Sequence, residues 1–283
     1  MNLKLAKKLQ VFMKFKNSFC IPKTDIDVFQ TLACGQIFSY KEIKNCFWVY
    51  SADKVAVVQE YANYYLVQTD NIEYFKHFFD LETDYESIKT NLLKFDVMKQ
   101  PIAYGKGIRI LKQDVLETII SFVISANNNI KRIKGSVFYL REHFGENLGG
   151  YFAFPSLKRL ATLTEQDFRD AGAGYRSPQL VKLINELQQE DYLAWGNLPT
   201  ETLKNKLVSL SGIGPKVADC IMLFAYGKTD VFPVDTWIEK VYNTFFEKCT
   251  DRKKIRRELV DKFKNLSGFA QQYLFFYQRE NKL

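Results

Sequence analysis

Histidine is nearly absent from the chain: its 283 residues hold two, His77 and His143. Metal sites and catalytic relays built on imidazole therefore have little material. Cysteine is sparse and scattered. The five thiols, Cys20, Cys34, Cys46, Cys220 and Cys249, are odd in number and form no C-x-x-C pair. That pattern argues against a disulfide framework and against a zinc or iron–sulfur cluster, and a reducing compartment is its natural setting. No apolar run reaches the roughly 18 residues of a membrane span. Residues 1–15 are basic and mixed, without a continuous apolar stretch or a cleavage site, so no targeting signal is read there. The chain is accordingly read as intracellular, and as cytoplasmic and nucleoid-associated if it is prokaryotic. Internal repeats and low-complexity segments are also missing.

What is present is a globular composition. At 47% hydrophobic and 25% charged residues, the chain can bury a sizeable core and is not a disordered polymer. Its net charge of +8 suits a polyanionic partner such as nucleic acid, although charge alone is weak evidence. Aromatic side chains are plentiful, with 24 Phe and 16 Tyr. Most must be core, and a few could stack on bases.

The two halves differ in pattern. Segments 36–40, 46–51, 54–60 and 64–68 are short, rich in Val, Tyr and Phe, and separated by turn-like stretches, which predicts an antiparallel sheet. Residues 71–95 read as one helix with Phe75, Phe78, Phe79 and Leu81 on its apolar face. Beyond Gly107 the strands stop. Asp114 with Glu117 forms a capping-box pattern ahead of the apolar run 115–124. Further helices are expected at 130–144, 157–171, 178–189, 200–210, 216–226, 235–246, 253–263 and 270–279. The fold class is therefore α+β: an N-terminal antiparallel sheet domain with a helix (1–112), then an all-helical domain (113–283).

The most informative stretch is Leu207-Val-Ser-Leu-Ser-Gly-Ile-Gly-Pro-Lys-Val-Ala-Asp-Cys220. A helix ends near Leu210, Gly212 and Gly214 flank Ile213, and Pro215 opens the next helix, where its missing N–H and fixed φ are tolerated. Two glycines allow close approach of the backbone, and a helix N-terminus offers free N–H groups to an anion. The product is a phosphate clamp made of main chain, which reads backbone and not sequence. Taken alone, the same pattern equally describes an ordinary helix connection with Ile213 as a core plug.

This run resembles the hairpin of the helix-hairpin-helix DNA glycosylases, and Val231-Phe-Pro-Val-Asp-Thr-Trp237 is similar to their Pro-Val-Asp element. Four further segments resemble the eukaryotic-type 8-oxoguanine DNA glycosylase/AP lyases: 113–132, Gly172-Ala-Gly-Tyr-Arg176, Cys34-Gly-Gln-Ile-Phe38 and Gly268-Phe-Ala-Gln-Gln-Tyr-Leu-Phe275. They occur in family order across residues 31–276, and a sheet domain followed by helices also matches.

The resemblance implies a glycosylase in which Lys216 displaces the base and Asp235, 19 positions later, is its carboxylate partner. Such a bond breaks through an oxocarbenium-like sugar, whose charge a carboxylate stabilises. An amine can capture C1′ as a Schiff base, which permits strand scission by β-elimination. A lysine that attacks at neutral pH must have its pKa lowered by desolvation or nearby cations, and a helix N-terminus acts in that direction. Taken alone, Lys216 is more simply a phosphate-contacting or solvated lysine, and Asp235 a helix N-cap.

Carried over residue by residue, the resemblance implies that Gly35 presents its carbonyl to the N7–H of 8-oxoguanine, which guanine lacks. Phe275 stacks on the flipped base, Cys220 faces its other side, Gln271 reads its Watson–Crick edge, and Phe224 lines the pocket where a methionine is common. Asn127 fills the gap left by the base. Arg132 and Arg176 bond the estranged cytosine, and Tyr175 wedges the opposite strand. Gly212, Ile213, Gly214 and Val217 hold the DNA backbone. Trp237 stands where the family commonly has a phosphate-contacting histidine, which leaves that contact in question. Read without the resemblance, Asn127–Asn129 cap helices, Phe275 and Cys220 are core, and Gln271 is solvated.

No cofactor is required and no iron–sulfur cluster is expected, although hairpin main-chain carbonyls can hold a structural cation. The partner implied is double-stranded DNA containing oxidised guanine, bound by a monomer, with no membrane. The charge run Arg252-Lys253-Lys254 with Arg256-Arg257 reads as a solvated face. Two other readings stay open: a helix-hairpin-helix glycosylase for another damaged base, and a non-catalytic duplex-DNA-binding protein.

Overall fold

The computed structural model describes residues 15–281. The reading of a missing targeting signal falls, apart from Phe15, outside the described residues. An N-terminal antiparallel sheet precedes a helical core. Its strands are β1 (Ser18–Pro22), β2 (Tyr40–Ile43), β3 (Cys46–Ser51), β4 (Lys54–Glu60) and β5 (Tyr64–Gln68), in the order β1-β5-β4-β3-β2. β3, β4 and β5 coincide with three of the four short Val-, Tyr- and Phe-rich segments of the sequence. Lys44 and Asn45, both with positive φ, make the two-residue turn between Ile43 and Cys46.

The strand expected at 36–40 lies later, at β2. Gln36 is fully buried and spends its side chain on local backbone: Nε2 donates to the carbonyls of Thr31 (2.9 Å) and Arg109 (2.8 Å), and Oε1 accepts from Leu111 N (2.8 Å). Those bonds pin the segment as an irregular crossing. β1 was not legible, because only Ile21 of its five residues is buried and its pairing partner β5 lies far along the chain.

α1 (Val28–Ala33) and α2 (Ile72–Phe78) complete the sheet half. Phe75, Phe78 and Phe79 are buried in one cluster with Ile21, Val49, Val58 and Val67. The single helix expected over 71–95 breaks after α2. Asp80 takes a positive φ of 53°, and Asp84 caps α3 (Tyr85–Leu92) by accepting from Ser87 N at 3.1 Å. Local side-chain bonds of Asp compete with helix continuation there.

The helical half comprises α4 (Lys99–Tyr104), α5 (Val115–Ser125), α6 (Ile130–Phe144), α7 (Leu157–Leu160), α8 (Glu165–Asp170), α9 (Ser177–Leu187), α10 (Thr200–Val208), α11 (Pro215–Phe224), α12 (Thr236–Phe245), α13 (Arg252–Phe263) and α14 (Ser267–Asn281). The helix expected at 157–171 is two, because Thr164 and Asp167 form a capping box that starts α8. Residues 116–124 of α5 are all buried, as suits a helix apolar on every side that runs through the centre of a core.

The capping box expected at Asp114 and Glu117 is half formed. Asp114 caps Glu117 N at 2.9 Å, but Glu117 turns away to a buried pair with Arg141, at 2.6 and 2.7 Å. Glu117 also accepts from Ala52 N (2.8 Å), and Arg141 donates to the carbonyls of Ala52 and Phe152, both at 3.0 Å. This network bolts α5 and α6 to the β3–β4 turn. The larger apolar core also takes in Cys34 and Phe38 from the sheet half, so both halves share a packed seam.

Candidate active site and DNA-facing surface

The hairpin joins α10 to α11. Gly212 has φ +80°, and a Cβ there would stand 3.1 Å from Gln179 and 3.3 Å from Val123, so backbone strain and crowding both require glycine. Gly214 is different. Its φ is −91°, it is exposed, and a Cβ would meet nothing within 4 Å. Ile213 is the plug, 5% exposed. Ser211 anchors the turn on Glu186 through its N–H (2.8 Å) and its hydroxyl (2.7 Å). The first intrahelical bond of α11 runs from Ala218 N to Gly214 O (2.9 Å), so the N–H groups of Lys216 and Val217 precede it and face outward from the helix end. The Val217 side chain is buried, which leaves its main chain as the part available to a ligand.

Lys216 lies in the first turn of α11 and is half-buried. Its ammonium sits 5.6 Å from the centroid of the Phe122 ring and bonds the sulfur of Cys220, one turn later. The lysine was expected to have a lowered pKa. Burial does pull it down, and is the largest single influence, but the Cys220 sulfur and the Asp235 carboxylate together outweigh it. The net direction is upward, so in the DNA-free protein the ammonium is held charged. Burial pushes the Cys220 thiol itself up to about 11.

Asp235 is the N-cap of α12. One carboxylate oxygen, Oδ1, accepts from Trp237 N (2.9 Å) and Ile238 N (3.0 Å). The cap is therefore real, and it fixes the carboxylate within electrostatic reach of Lys216. Trp237, in the first turn of α12, is half-buried under the Lys240 ammonium, 4.8 Å from its ring centroid.

An aromatic wall backs the lysine. Phe224 stacks on Phe122 (5.5 Å, 16°), and Phe122 meets Phe38 edge-on (5.4 Å, 65°). Gly35, with φ +90°, faces Phe275: a Cβ there would come 3.1 Å from the Phe275 ring. Phe275 is half-buried, whereas Cys220, Phe224 and Gln271 are buried. Gln271 is therefore not solvated, and its Oε1 has no hydrogen-bond partner among the described residues. The neighbouring Gln272 is the one that braces the pocket turn, donating to Cys34 O at 3.0 Å.

A second group lies on the surface. Asn127 is exposed with φ +57° and ends α5, while Asn129 caps α6 by accepting from Arg132 N at 3.0 Å. Arg132 is exposed. Tyr175, 54% exposed, reaches this loop through its hydroxyl, which donates to Ala126 O at 3.2 Å. Arg176 folds over the Tyr175 ring (4.7 Å) and keeps a buried Nε with no hydrogen-bond partner among the described residues. Tyr175 and Arg176 thus lie beside the loop that carries Asn127, and Arg132 follows that loop in the first turn of α6.

Family models match both halves: the N-terminal domain of 8-oxoguanine DNA glycosylase over residues 18–119, and the HhH-GPD superfamily of base excision DNA repair proteins over 120–265. The chain belongs to the 8-oxoguanine DNA glycosylase/lyase family. It is 35% identical to an N-glycosylase/DNA lyase of Arabidopsis thaliana over 60% of this chain, and spans 52% of that protein's length. A protein of Methanothermobacter thermautotrophicus, named a probable N-glycosylase/DNA lyase, is 30% identical over 75% of this chain and 76% of its own. The crystal structure of the Clostridium acetobutylicum 8-oxoguanine glycosylase/lyase, with duplex DNA containing cytosine opposite 8-oxoguanine, superposes with a TM-score of 0.87. The two are 34% identical over 96% of this chain and 100% of that one.

Several residues escaped the sequence reading. Phe122 lies in an apolar run, and only the packing sets it under the lysine. Arg256 was counted in a solvated charge run. Instead it is mostly buried and pairs with Asp219, Nε to Oδ2 at 2.6 Å and Nη2 to Oδ1 at 3.0 Å. Asp219 directly precedes Cys220 and also draws Lys204 to 3.7 Å, so α10, α11 and α13 are tied together behind the lysine. Arg279 stands four residues after Phe275, a helical spacing that could have flagged it. Among the described residues, no three His, Cys, Asp or Glu side chains gather as a metal site, and no helix is long and apolar enough to cross a membrane.

Proposed function

We propose that the chain removes 8-oxoguanine opposite cytosine from duplex DNA and then cleaves the strand at the abasic sugar. What supports this reading is the Lys216 ammonium, enclosed by Phe122 and Cys220 within electrostatic reach of Asp235, in the first turn of a helix whose leading main-chain N–H groups precede its first intrahelical bond.

The main-chain N–H groups at the start of α11, exposed by Gly212, Ile213 and Gly214, hold a DNA phosphate and set the sugar of the extruded nucleotide beside Lys216. The base enters between Phe275 and Cys220, with Phe224 at the back, Gln271 on its Watson–Crick edge and the Gly35 carbonyl accepting N7–H. Asn127 and Tyr175 fill and wedge the vacated stack, while Arg132 and Arg176 donate to the estranged cytosine. Trp237 supplies an indole where a histidine would have met the phosphate, so backbone holding falls to the hairpin.

The C1′–N9 bond breaks as positive charge grows on the sugar opposite the Asp235 carboxylate. The Lys216 amine bonds to C1′, and the proton it sheds balances the negative charge left on the departing base. Ring opening gives an imine, loss of a C2′ proton follows, and the 3′-phosphate leaves. Entry of the base displaces Lys216 from the Cys220 sulfur, which removes a hydrogen bond from the ammonium. No cofactor enters these steps. A monovalent or alkaline-earth cation on hairpin carbonyls would serve structure alone, and the protein acts as a monomer.

The test is borohydride trapping on a duplex with one 8-oxoguanine opposite cytosine, beside undamaged, thymine-glycol and alkyl-adenine duplexes and a Lys216→Gln variant. A covalent adduct specific to 8-oxoguanine and lost in the variant supports the reading. An adduct with another lesion alone overturns the base assignment. DNA binding with no adduct or base release on any duplex makes the protein a non-catalytic binder.

A further inference from the structure

Arg279 follows Phe275 by one helical turn of α14, and its guanidinium lies over the Phe275 and Phe276 rings at 5.5 and 5.6 Å. Two of its three nitrogens are committed. Nη2 donates to Ala33 O (2.6 Å) and to Glu280 Oε1 (2.8 Å), and Nε donates to the same Glu280 oxygen (2.9 Å). The third, Nη1, is buried and has no hydrogen-bond partner among the described residues. It lies 2.9 Å from where a Cβ on Gly35 would stand, beside the Phe275 ring edge.

A buried cationic donor left unpaired is costly, and such groups are rare in folded proteins. The guanidinium cannot shed its proton to escape the cost. Its other bonds also fix its plane, so Nη1 points in a set direction at the rim of the base pocket. A donor fixed there calls for a carbonyl oxygen or an anion. On the base assigned to this pocket, N7–H is flanked on either side by a carbonyl oxygen, O6 and O8. A base whose N7–H meets the Gly35 carbonyl therefore brings one of those oxygens to the neighbourhood of Nη1.

We propose that Arg279 is a specificity-determining residue, whose Nη1 donates to a carbonyl oxygen flanking N7–H of the extruded base. This rests on the reading of Gly35 as the N7–H acceptor. It gives the oxidised face of the base a second reader, which checks an acceptor where Gly35 checks a donor. An unoxidised guanine offers O6 alone and presents an acceptor at N7 to the Gly35 carbonyl, so the two contacts discriminate together.

The experiment compares wild type, Arg279→Leu and Arg279→Lys in single-turnover reactions on 8-oxoguanine, on 8-oxoadenine and on a preformed abasic site, with melting temperatures measured alongside. Losing a charge-assisted hydrogen bond lowers excision of 8-oxoguanine about ten- to hundred-fold in Arg279→Leu. Arg279→Lys recovers only part, because a point charge lacks the planar fork. Imine formation at the abasic site, which carries no base, falls far less. Loss on 8-oxoadenine as well assigns the contact to O8, and loss on 8-oxoguanine alone assigns it to O6. Equal losses on 8-oxoguanine and the abasic site mark a phosphate or structural role and overturn the proposal, as does wild-type excision in Arg279→Leu. A wild-type protein that forms an imine at abasic DNA but leaves 8-oxoguanine intact refutes the substrate reading itself.

Discussion

Replacing Asp235 by asparagine removes a charge while keeping a cap. Asp235 Oδ1 accepts two N–H groups at the start of α12, from Trp237 and Ile238. Asparagine caps about as well as aspartate, so Asp235→Asn loses only the favourable meeting of a negative charge with the helix N-terminus, about 0.3–1 kcal/mol. Asp235→Ala loses the cap as well, about 0.5–2 kcal/mol more. In a chain of this size that difference lowers Tm by a few degrees, at roughly 2–4 °C per kcal/mol. Catalysis responds to the charge alone. Both variants lose the electrostatic stabilisation of the sugar cation, on the order of 10²–10³ in rate. A second effect acts in the opposite direction. The carboxylate is one of the groups that raise the Lys216 pKa, so its removal lets the amine become neutral at lower pH. The rising limb of the rate–pH profile therefore moves to lower pH in both variants. Thermal unfolding and single-turnover trapping across pH 6–10 read both effects on the same samples. An Asp235→Asn protein with wild-type excision rates refutes the role of the charge. One that melts with Asp235→Ala refutes the separation of cap from charge.

In the wild-type protein the Lys216 pKa is raised, so the reactive neutral amine is scarce at neutral pH and trapping on abasic DNA accelerates as pH rises through 7–9; a flat profile would show that amine ionisation does not limit the reaction. The two hairpin glycines separate folding from binding. Gly212→Ala, at φ +80° against Gln179 and Val123, destabilises the fold by about 1 kcal/mol or more. Gly214→Ala keeps stability within about 0.5 kcal/mol yet weakens duplex binding, because its Cβ enters only the space where a phosphate would sit. Calorimetry and fluorescence anisotropy distinguish the two, and equal behaviour would undo the clamp. Glu117→Ala strands Arg141, 1% exposed, and costs about 3–5 kcal/mol in denaturant unfolding, whereas Glu117→Ala combined with Arg141→Met recovers part of that loss.

The elements legible in the sequence are those whose reasons are local. β3, β4 and β5 are short, rich in Val, Tyr and Phe, and separated by turn-like stretches. α5 announces itself by its cap and its apolar run, and the hairpin by two glycines and a proline. The proposed site residues form a set only through their order along the chain, which matches a family, and no one of them is distinctive alone. Phe275 and Cys220 look like core, and Asp235 looks like a cap, which it is.

Elsewhere a cap inside the segment or a partner from another helix overrides the local pattern. The helices expected over 71–95 and 157–171 each contain an internal cap, at Asp84 and Thr164, that ends one helix and starts another. Glu117 carried the pattern of a capping box, but the pull of Arg141 from another helix outweighed the local bond. Arg256 carried the pattern of a solvated face, but a buried Asp219 lay within reach.

By itself, the sequence determined the fold class and the hairpin, because periodicity, turn chemistry and residue type act over a few positions. The tertiary structure decided the environment of each side chain. It put the ring of Phe122 beneath Lys216, gave that lysine a raised rather than a lowered pKa, and left Arg279 with a donor unpaired among the described residues beside Gly35. Burial, Coulomb interaction and hydrogen bonding depend on distances between residues far apart in the chain, and those distances exist only once the chain is folded.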